Sequence, residues 1–488
     1  MAKDIKHLVV LMLENRSFDH MLGFLKSSSY AIDGLNGDET NPDSSGQQIT
    51  VTRDSKYVGD LKDDPGHDFI SVNEQIFGNS QGTGSGPYMQ GFVKSYEAQT
   101  GNLARSRNVM KCFRPGRIPA LTTLAQEFAV CDHWFSSVPG PTLPNRAFAF
   151  GATSQGRVNM SPNYLTLTTI FERLNEHGVS SKIYFTDWTF ALGVKHIGID
   201  NPSRYFRFYD AFKKDCKDNK LPAYSFIEPR YYDLSQRGPA FTATDQHPDH
   251  NVFNGEKLIK EVYEAITKNK QTWENTILVI TYDEHGGLFD HVRPPSAVPP
   301  GDVDSATPPF KFDRLGVRVP AVIVSPYIPK GTILNDVFDH TSIIATARKL
   351  FLEGKPNTWL TERDRQANTF EGCLTLTAPR TDKPSIPEPS NAAQPAVMAA
   401  AAAPLSTPAF ESKTTTPNGN RKLSELQQVA LVQMISVDST KQKKNAAAAS
   451  IVPKTEHDAA KYFEDVQARL NLLKTTTPTK KTKSAKKK

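Results

Sequence analysis

The run Thr276-Ile277-Leu278-Val279-Ile280-Thr281-Tyr282-Asp283-Glu284-His285-Gly286-Gly287-Leu288-Phe289-Asp290-His291-Val292 changes character partway along. Its opening residues are apolar and β-branched, the pattern of a buried strand. Acids, imidazoles and a glycine pair follow at once, so the strand delivers polar groups to its own carboxyl end. In a parallel α/β sheet those ends form the crevice where ligands bind. Asp283 and Glu284 are hard oxygen donors, His285 and His291 can ligate or carry protons, and Gly286-Gly287 let backbone approach a ligand closely. The same residues also suit a strand that ends in a solvated acidic turn.

Working outward, the logic recurs near the amino terminus. His7-Leu8-Val9-Val10-Leu11-Met12-Leu13 is a continuous apolar run, followed immediately by Glu14-Asn15-Arg16-Ser17-Phe18-Asp19-His20. Glu14 and Asn15 fall where a parallel strand would end and are candidate oxygen ligands for a cation, while Ser17 or Asp19 suits a helix cap. Three further polar stretches stand out. In Asp63-Asp64-Pro65-Gly66-His67 a Pro-Gly turn sets a histidine. In Pro139-Gly140-Pro141-Thr142-Leu143-Pro144-Asn145-Arg146 the prolines enforce an extended approach to a helix beginning near Thr142. There N–H groups and the macrodipole favour anions, and Asn145 and Arg146 add donors for phosphate oxygens. In Gln246-His247-Pro248-Asp249-His250 two histidines precede an amphipathic helix. Each stretch has a bland reading as well: Thr142 as a capping hydroxyl, the histidines as surface-loop residues.

Helices expected over residues 119–128, 168–177, 205–216 and 255–266 alternate with strands over 181–185, 223–228 and 316–326. That is the βα alternation of a layered sheet. The formal net charge of +6 is accounted for by Lys480, Lys481, Lys483, Lys486, Lys487 and Lys488, so the body is nearly neutral and no nucleic-acid partner is expected. Cys112, Cys131, Cys216 and Cys373 are scattered, without zinc or disulfide spacing. No apolar run is long enough for a transmembrane segment, and the amino terminus shows no signal sequence. The expected location is therefore cytoplasmic, or outside the cell by a route without an N-terminal signal peptide. From about Thr377 the composition turns to Pro, Ala, Ser and Thr. The expected organisation is a catalytic domain over 1–376, a linker over 377–420, short amphipathic helical segments over 421–475 and a Lys-rich tail over 476–488. The tail reads as a solvated end or as a transient contact with an anionic membrane surface.

Taken together and in order, Glu14-Asn15-Arg16-Ser17-Phe18-Asp19-His20, Pro65-Gly66-His67, Thr142-Leu143-Pro144-Asn145-Arg146, Gln246-His247-Pro248, Tyr282-Asp283-Glu284-His285-Gly286-Gly287 with Asp290-His291-Val292, and Gly316-Val317-Arg318-Val319-Pro320 resemble one family. It is the phosphoesterase family of bacterial and plant non-specific phospholipases C and related bacterial acid phosphatases, and the resemblance spans roughly residues 5 to 375. It implies an α/β, alkaline-phosphatase-like layered sheet flanked by helices, with a mostly irregular C-terminal extension lying outside it. It further implies hydrolysis of a phospholipid or other phosphate ester, with Thr142 as nucleophile and His67 and His247 as proton or hydrogen-bond donors. Glu14, Asn15, Asp283 and Glu284 would form the shell of a divalent metal ion of unspecified identity. Asn15, Asn145, His285 and His291 would face phosphate. A phospholipase C, an acid phosphatase on monoesters and a noncatalytic lipid- or partner-binding relative are the three functions to separate.

Overall fold

The computed structural model describes residues 4–388 apart from 62 and 234–241, residues 423–441, and seven scattered positions between 453 and 465. Most of the expected linker, most of the second amphipathic segment and the Lys-rich tail lie outside the described residues.

An eight-stranded sheet forms the core, built from β1 (His7–Leu13), β2 (Ala129–Cys131), β3 (Ser181–Phe185), β4 (Phe206–Phe208), β5 (Tyr224–Ile227), β6 (Thr276–Tyr282), β7 (Ala321–Val324) and β8 (Thr332–Leu334). The strand order is β8-β2-β7-β6-β1-β5-β3-β4. All seven residues of β1 and of β6 are buried, as their unbroken apolar runs require. These two strands are parallel and run side by side from His7↔Thr276 to Leu13↔Tyr282. The residues that follow, Glu14 and Asp283, therefore leave the sheet together, and Asp283 N donates to Leu13 O at 3.2 Å.

The principal helices are α1 (Phe18–Leu22), α2 (Phe69–Phe77), α3 (Pro119–Glu127), α4 (Thr142–Gly151), α5 (Ile170–Glu176), α6 (Tyr209–Lys217), α7 (Val252–Lys268), α8 (Thr341–Phe351) and α9 (Glu425–Lys441). Alternate strand residues meet different helices. Phe226 of β5 packs on Phe150 of α4 with centroids 4.8 Å apart, and Tyr224 on Phe171 of α5 at 5.2 Å. Tyr184 of β3, in register with Ile227, points the other way to Phe212 of α6 at 5.4 Å. The sheet is thus flanked by helices on both faces. Among the described residues no helix is long and apolar enough to cross a membrane.

Two elements depart from the sequence reading. The helix expected from Tyr205 begins at Tyr209, because Phe206-Arg207-Phe208 alternates apolar and polar residues and pairs with Ile183–Phe185 as β4. Strand β7 runs antiparallel to both of its neighbours. Its leading segment, with Arg318, consequently lies at the same end of the sheet as the carboxyl ends of the parallel strands.

Candidate active site

Three parallel strands each end in an acid at this edge: Glu14 after β1, Glu228 after β5 and Asp283 after β6. One cation gathers them. Arg146 Nε lies 3.1 Å from Asp283 Oδ2, Nη1 2.6 Å from Glu228 Oε2 and Nη2 3.3 Å from Glu14 Oε1, and all four side chains are buried. Arg146 is four residues after Thr142 on α4, so the two share a helix face and the same bracket carries the start of α4 to the acids. Pro141, in the N-cap position, has no capping side-chain bond, so the helix presents its first amides uncapped beside the Thr142 hydroxyl. That hydroxyl has no hydrogen-bond partner among the described residues, and Thr142 is 1% exposed.

The glycine pair draws two more segments in. Gly286 and Gly287 have φ of +65° and +67°. A Cβ on Gly286 would collide with the Asn15 carbonyl oxygen, and one on Gly287 would lie 2.7 Å from Gly66 O. The turn after Glu284 therefore rests directly on the Glu14-Asn15 and Pro65-Gly66 backbones. His67 follows, with Nδ1 2.9 Å from Pro65 O and Nε2 4.0 Å from Glu284 Oε1. His247 stands edge-on to it at 6.2 Å between centroids. The His247 loop is fixed by Arg16, which donates to Gln246 O at 2.7 Å and to His247 O at 3.1 Å, and by the Tyr282 hydroxyl, which donates to Gln246 Oε1. Asp249 Oδ1 lies 2.6 Å from His247 Nδ1, and Asp64 Oδ2 3.4 Å from Nε2.

Electrostatics follow from this crowding. Burial raises Glu14 well above the ordinary carboxyl range, Asp283 adds to the effect and Arg146 opposes it. Burial likewise pushes Asp283 up to about 6 against the pull of Arg146. His247 is held well above its usual value because Asp64 and Asp249 outweigh its burial, and His67 is raised by Glu284 and Asp64 in the same way. Carboxyls that resist ionising beside imidazoles that stay protonated describe a site short of positive charge at its centre.

A divalent cation fits that deficit. Glu284 Oε1 and both amide atoms of Asn15 are buried without a hydrogen-bond partner, at the ends of the two strands that also bring in Glu14 and Asp283. Asp283 Oδ1 accepts from Asn15 N at 3.3 Å and Glu284 N at 2.8 Å, and Oδ2 from Arg146, which leaves Oδ2 lone-pair capacity. An oxygen-rich donor set of this kind suits a hard cation. Asp64, His67 and His247 form a neighbouring group whose candidate ligand atoms all lie within 4.8 Å of one another.

Other residues take different places from those expected. Asn145 does not face phosphate: Nδ2 donates to Val138 O, Gly140 O and Pro141 O at 2.9–3.1 Å, and Oδ1 accepts from Val138 N at 2.9 Å, so its amide is spent bracing the turn before Thr142. Arg146 is a bridge between acids rather than a phosphate donor. His285 turns Nε2 to Gln75 Oε1 at 2.7 Å and Nδ1 toward Glu284 at 3.5 Å, and burial lowers its pKa; it supports Glu284 instead of meeting substrate. His291 joins a second cluster, 2.6 Å from Asp19 and 3.2 Å from Asp33, where Arg318 pairs with Asp19 at 3.1 Å and Asp290 at 2.9 Å. Burial is the largest influence on His291, yet Asp19 and Asp33 overcome it and raise its pKa to about 10. A histidine raised in the fold contributes stability that is complete below the unfolded value of about 6.5 and is lost as pH climbs toward about 10. His291→Gln is expected to flatten the fall of melting temperature across that window; a profile parallel to the wild type would show the ion pairs to be without net effect.

Glu228 and Asp64 are the functional residues that the sequence reading passed over. The signal for Glu228 was available, since it is an acid at the end of the strand read over 223–228, the same pattern as Glu14.

Strand-end carboxylates, an uncapped helix carrying a free hydroxyl and two protonated imidazoles define an α/β ester hydrolase equipped for a cation. The chain belongs to the phosphoesterase family, whose model matches residues 5–352, and is thus a hydrolase of phosphoric esters. It is 45% identical over 413 residues to non-specific phospholipase C6 of Arabidopsis thaliana, covering 80% of this chain and 77% of that one. Non-specific phospholipase C3 of the same plant is 39% identical over 416 residues, covering 79% and 77%. Phospholipase C B of Mycobacterium tuberculosis (strain ATCC 25618 / H37Rv) is 29% identical over 442 residues, covering 79% and 81%. A solved structure of a protein in the alkaline phosphatase superfamily from Vibrio parahaemolyticus is 10% identical with a TM-score of 0.34, covering 76% of this chain and 71% of that chain.

Proposed function

We propose that the protein is a phospholipase C that cleaves glycerophospholipids to diacylglycerol and a phosphorylated head group through a phosphothreonine intermediate. The observation that carries the mechanism is the Thr142 hydroxyl, unpartnered at an uncapped helix start, on the helix face that Arg146 ties to Glu14 and Asp283. The substrate class is drawn from the relatives' names.

Thr142 Oγ1 attacks phosphorus in line with the diacylglycerol oxygen. The P–O bond to diacylglycerol breaks, and that oxygen takes a proton from His247 or His67, both held protonated by neighbouring acids. The head group stays on phosphorus, esterified to Thr142, while the amides at the start of α4 stabilise the charge on the nonbridging oxygens. A water then attacks phosphorus, the imidazole recovers its proton, and Thr142 regains its hydroxyl as the phosphorylated head group departs. A divalent ion held by Glu14, Asn15, Asp283 and Glu284 would lower the pKa of the threonine hydroxyl and neutralise the nonbridging oxygens.

The test is a panel of phosphatidylcholine, phosphatidylethanolamine and p-nitrophenyl phosphate, crossed with Ca, Mg, Mn, Zn and a chelator. Phosphorylated head group from lipid, loss of turnover with the chelator, and phosphate trapped on Thr142 by acid quench and mass spectrometry are the expected results. Turnover of the monoester alone would replace the phospholipase reading with an acid phosphatase. No turnover under any metal would leave a binding protein.

A further inference from the structure

Helix α9 lies beyond the residues matched by the family model, yet its first turn reaches the site. A reciprocal pair defines its start: Gln427 N donates to Ser424 Oγ at 3.2 Å, and Ser424 N donates to Gln427 Oε1 at 2.9 Å, a capping box. The same Gln427 docks the helix, because Nε2 donates to Tyr231 O and its own carbonyl accepts from the Tyr232 hydroxyl, both at 2.8 Å. Tyr231 in turn donates from its hydroxyl to Glu228 Oε2 at 2.6 Å, the oxygen that also holds Arg146. Farther along, Gln433 occupies the space that a Cβ on Gly193 would need, and Val429, Ala430, Leu431 and Met434 are buried. The surface of the catalytic body is therefore shaped to receive this helix.

Docking in this way places Glu425, the first residue after the Ser424 cap, at the mouth of the site. It is exposed, and it interacts electrostatically with His67, Asp64 and Asp68. Asp68 is committed through its own carboxylate to Ile70 N, Ser71 N and Ser71 Oγ, and Asp64 to His247, whereas no hydrogen bond holds Glu425 among the described residues. Arg16, the cation that feels Asp64 and Asp249, is buried and occupied by backbone carbonyls. The rim is thus negative, while deeper in lie the fully buried and unpartnered amide of Asn15 and Oε1 of Glu284. A phosphate ester entering past this rim meets repulsion unless the same molecule carries a positive charge on its outward side.

We propose that Glu425, brought to the mouth by α9, selects phosphate esters whose head group bears a cationic nitrogen, of the choline or ethanolamine type, over those with a neutral or anionic head group. The proposal rests on the reading of the site as a phosphate-ester site, and adds to it the charge of the head group and the residue that senses it.

The test uses full-length wild type, Glu425→Gln, Glu425→Lys and, as a control for added charge on the exposed side of α9, Val432→Lys. Binding of phosphocholine and of glycerol 3-phosphate is measured by calorimetry, each at low and high salt. Neutralising Glu425 is expected to weaken phosphocholine about three-fold and reversing it about ten-fold, from the magnitude of exposed charge pairs. Glycerol 3-phosphate should bind unchanged or tighter, Val432→Lys should leave the ratio of the two affinities as it is, and high salt should shrink the difference. Variants that move both ligands by one factor, or neither, overturn the role of Glu425. A wild type that binds neither ligand overturns the phosphate-ester reading itself, and the proposal with it.

Discussion

Thr142→Ala is expected to lower the turnover of phosphate esters by on the order of a thousandfold or more, the range seen when a covalent nucleophile is removed, while leaving the fold in place. The two halves of that expectation come from different observations. Thr142 contributes no hydrogen bond among the described residues and the N-cap position belongs to Pro141, so the substitution removes only one methyl and one hydroxyl from the start of α4. Stability should change by about 1 kcal/mol or less. Turnover, in contrast, loses the only oxygen on that helix turn able to bond to phosphorus, since Asn145 is consumed by the preceding turn and Arg146 by three acids. Thr142→Ser keeps the oxygen and should retain activity within about tenfold. The measurements are steady-state rates beside urea unfolding of the same samples. An alanine variant within tenfold of wild type removes the covalent route, and one that is inactive because it has unfolded is recognised by its transition midpoint.

The parts of this site that could be read from the chain were those set by strand ends. A run as apolar as His7–Leu13 or Thr276–Tyr282 has few alternatives to a strand covered on both faces, and the polar residues after it fall at the sheet edge for geometric reasons alone. Their adjacency was legible only as an expectation, and the Leu13↔Tyr282 register supplies it. What stayed hidden was pairing. Nothing local distinguishes an arginine that meets phosphate from one that bridges carboxylates, because the choice depends on Glu14, Glu228 and Asp283 converging from strands far apart in the chain. The direction of β7 was equally silent, since an apolar run has the same pattern read either way. Its antiparallel course is what sets Arg318 among Asp19 and Asp290, and with them His291. The histidines of the opening stretch thus divide: His285 backs Glu284, and His291 belongs to a separate ion-pair cluster.

Arg146→Met is expected to cost about 3–5 kcal/mol of stability, the loss that follows when one partner of a buried ion pair is removed and the other is left uncompensated. Methionine fills much of the same volume, so the effect isolates the charge. Glu228 would keep the Tyr231 hydroxyl, the Thr189 hydroxyl and the Phe190 amide, whereas Glu14 and Asp283 would lose the one cation in contact with them. Their pKa values, already raised by burial, should rise further. A carboxyl raised in the folded state favours folding at low pH and penalises it as pH climbs through the folded value, so the deficit should shrink on moving from about pH 8 to about pH 5. Arg146→Lys preserves charge but has no planar fork with which to span three acids, and should recover only part of the loss. A divalent ion that binds between Glu14, Asn15, Asp283 and Glu284 supplies positive charge to the same carboxylates from the other side. It should therefore stabilise the methionine variant at least as much as it stabilises the wild type. Urea unfolding with and without the ion, at both pH values, reads each of these together. A loss below about 1 kcal/mol, or one indifferent to both pH and metal, would mean that the three strand ends hold their carboxylates without Arg146.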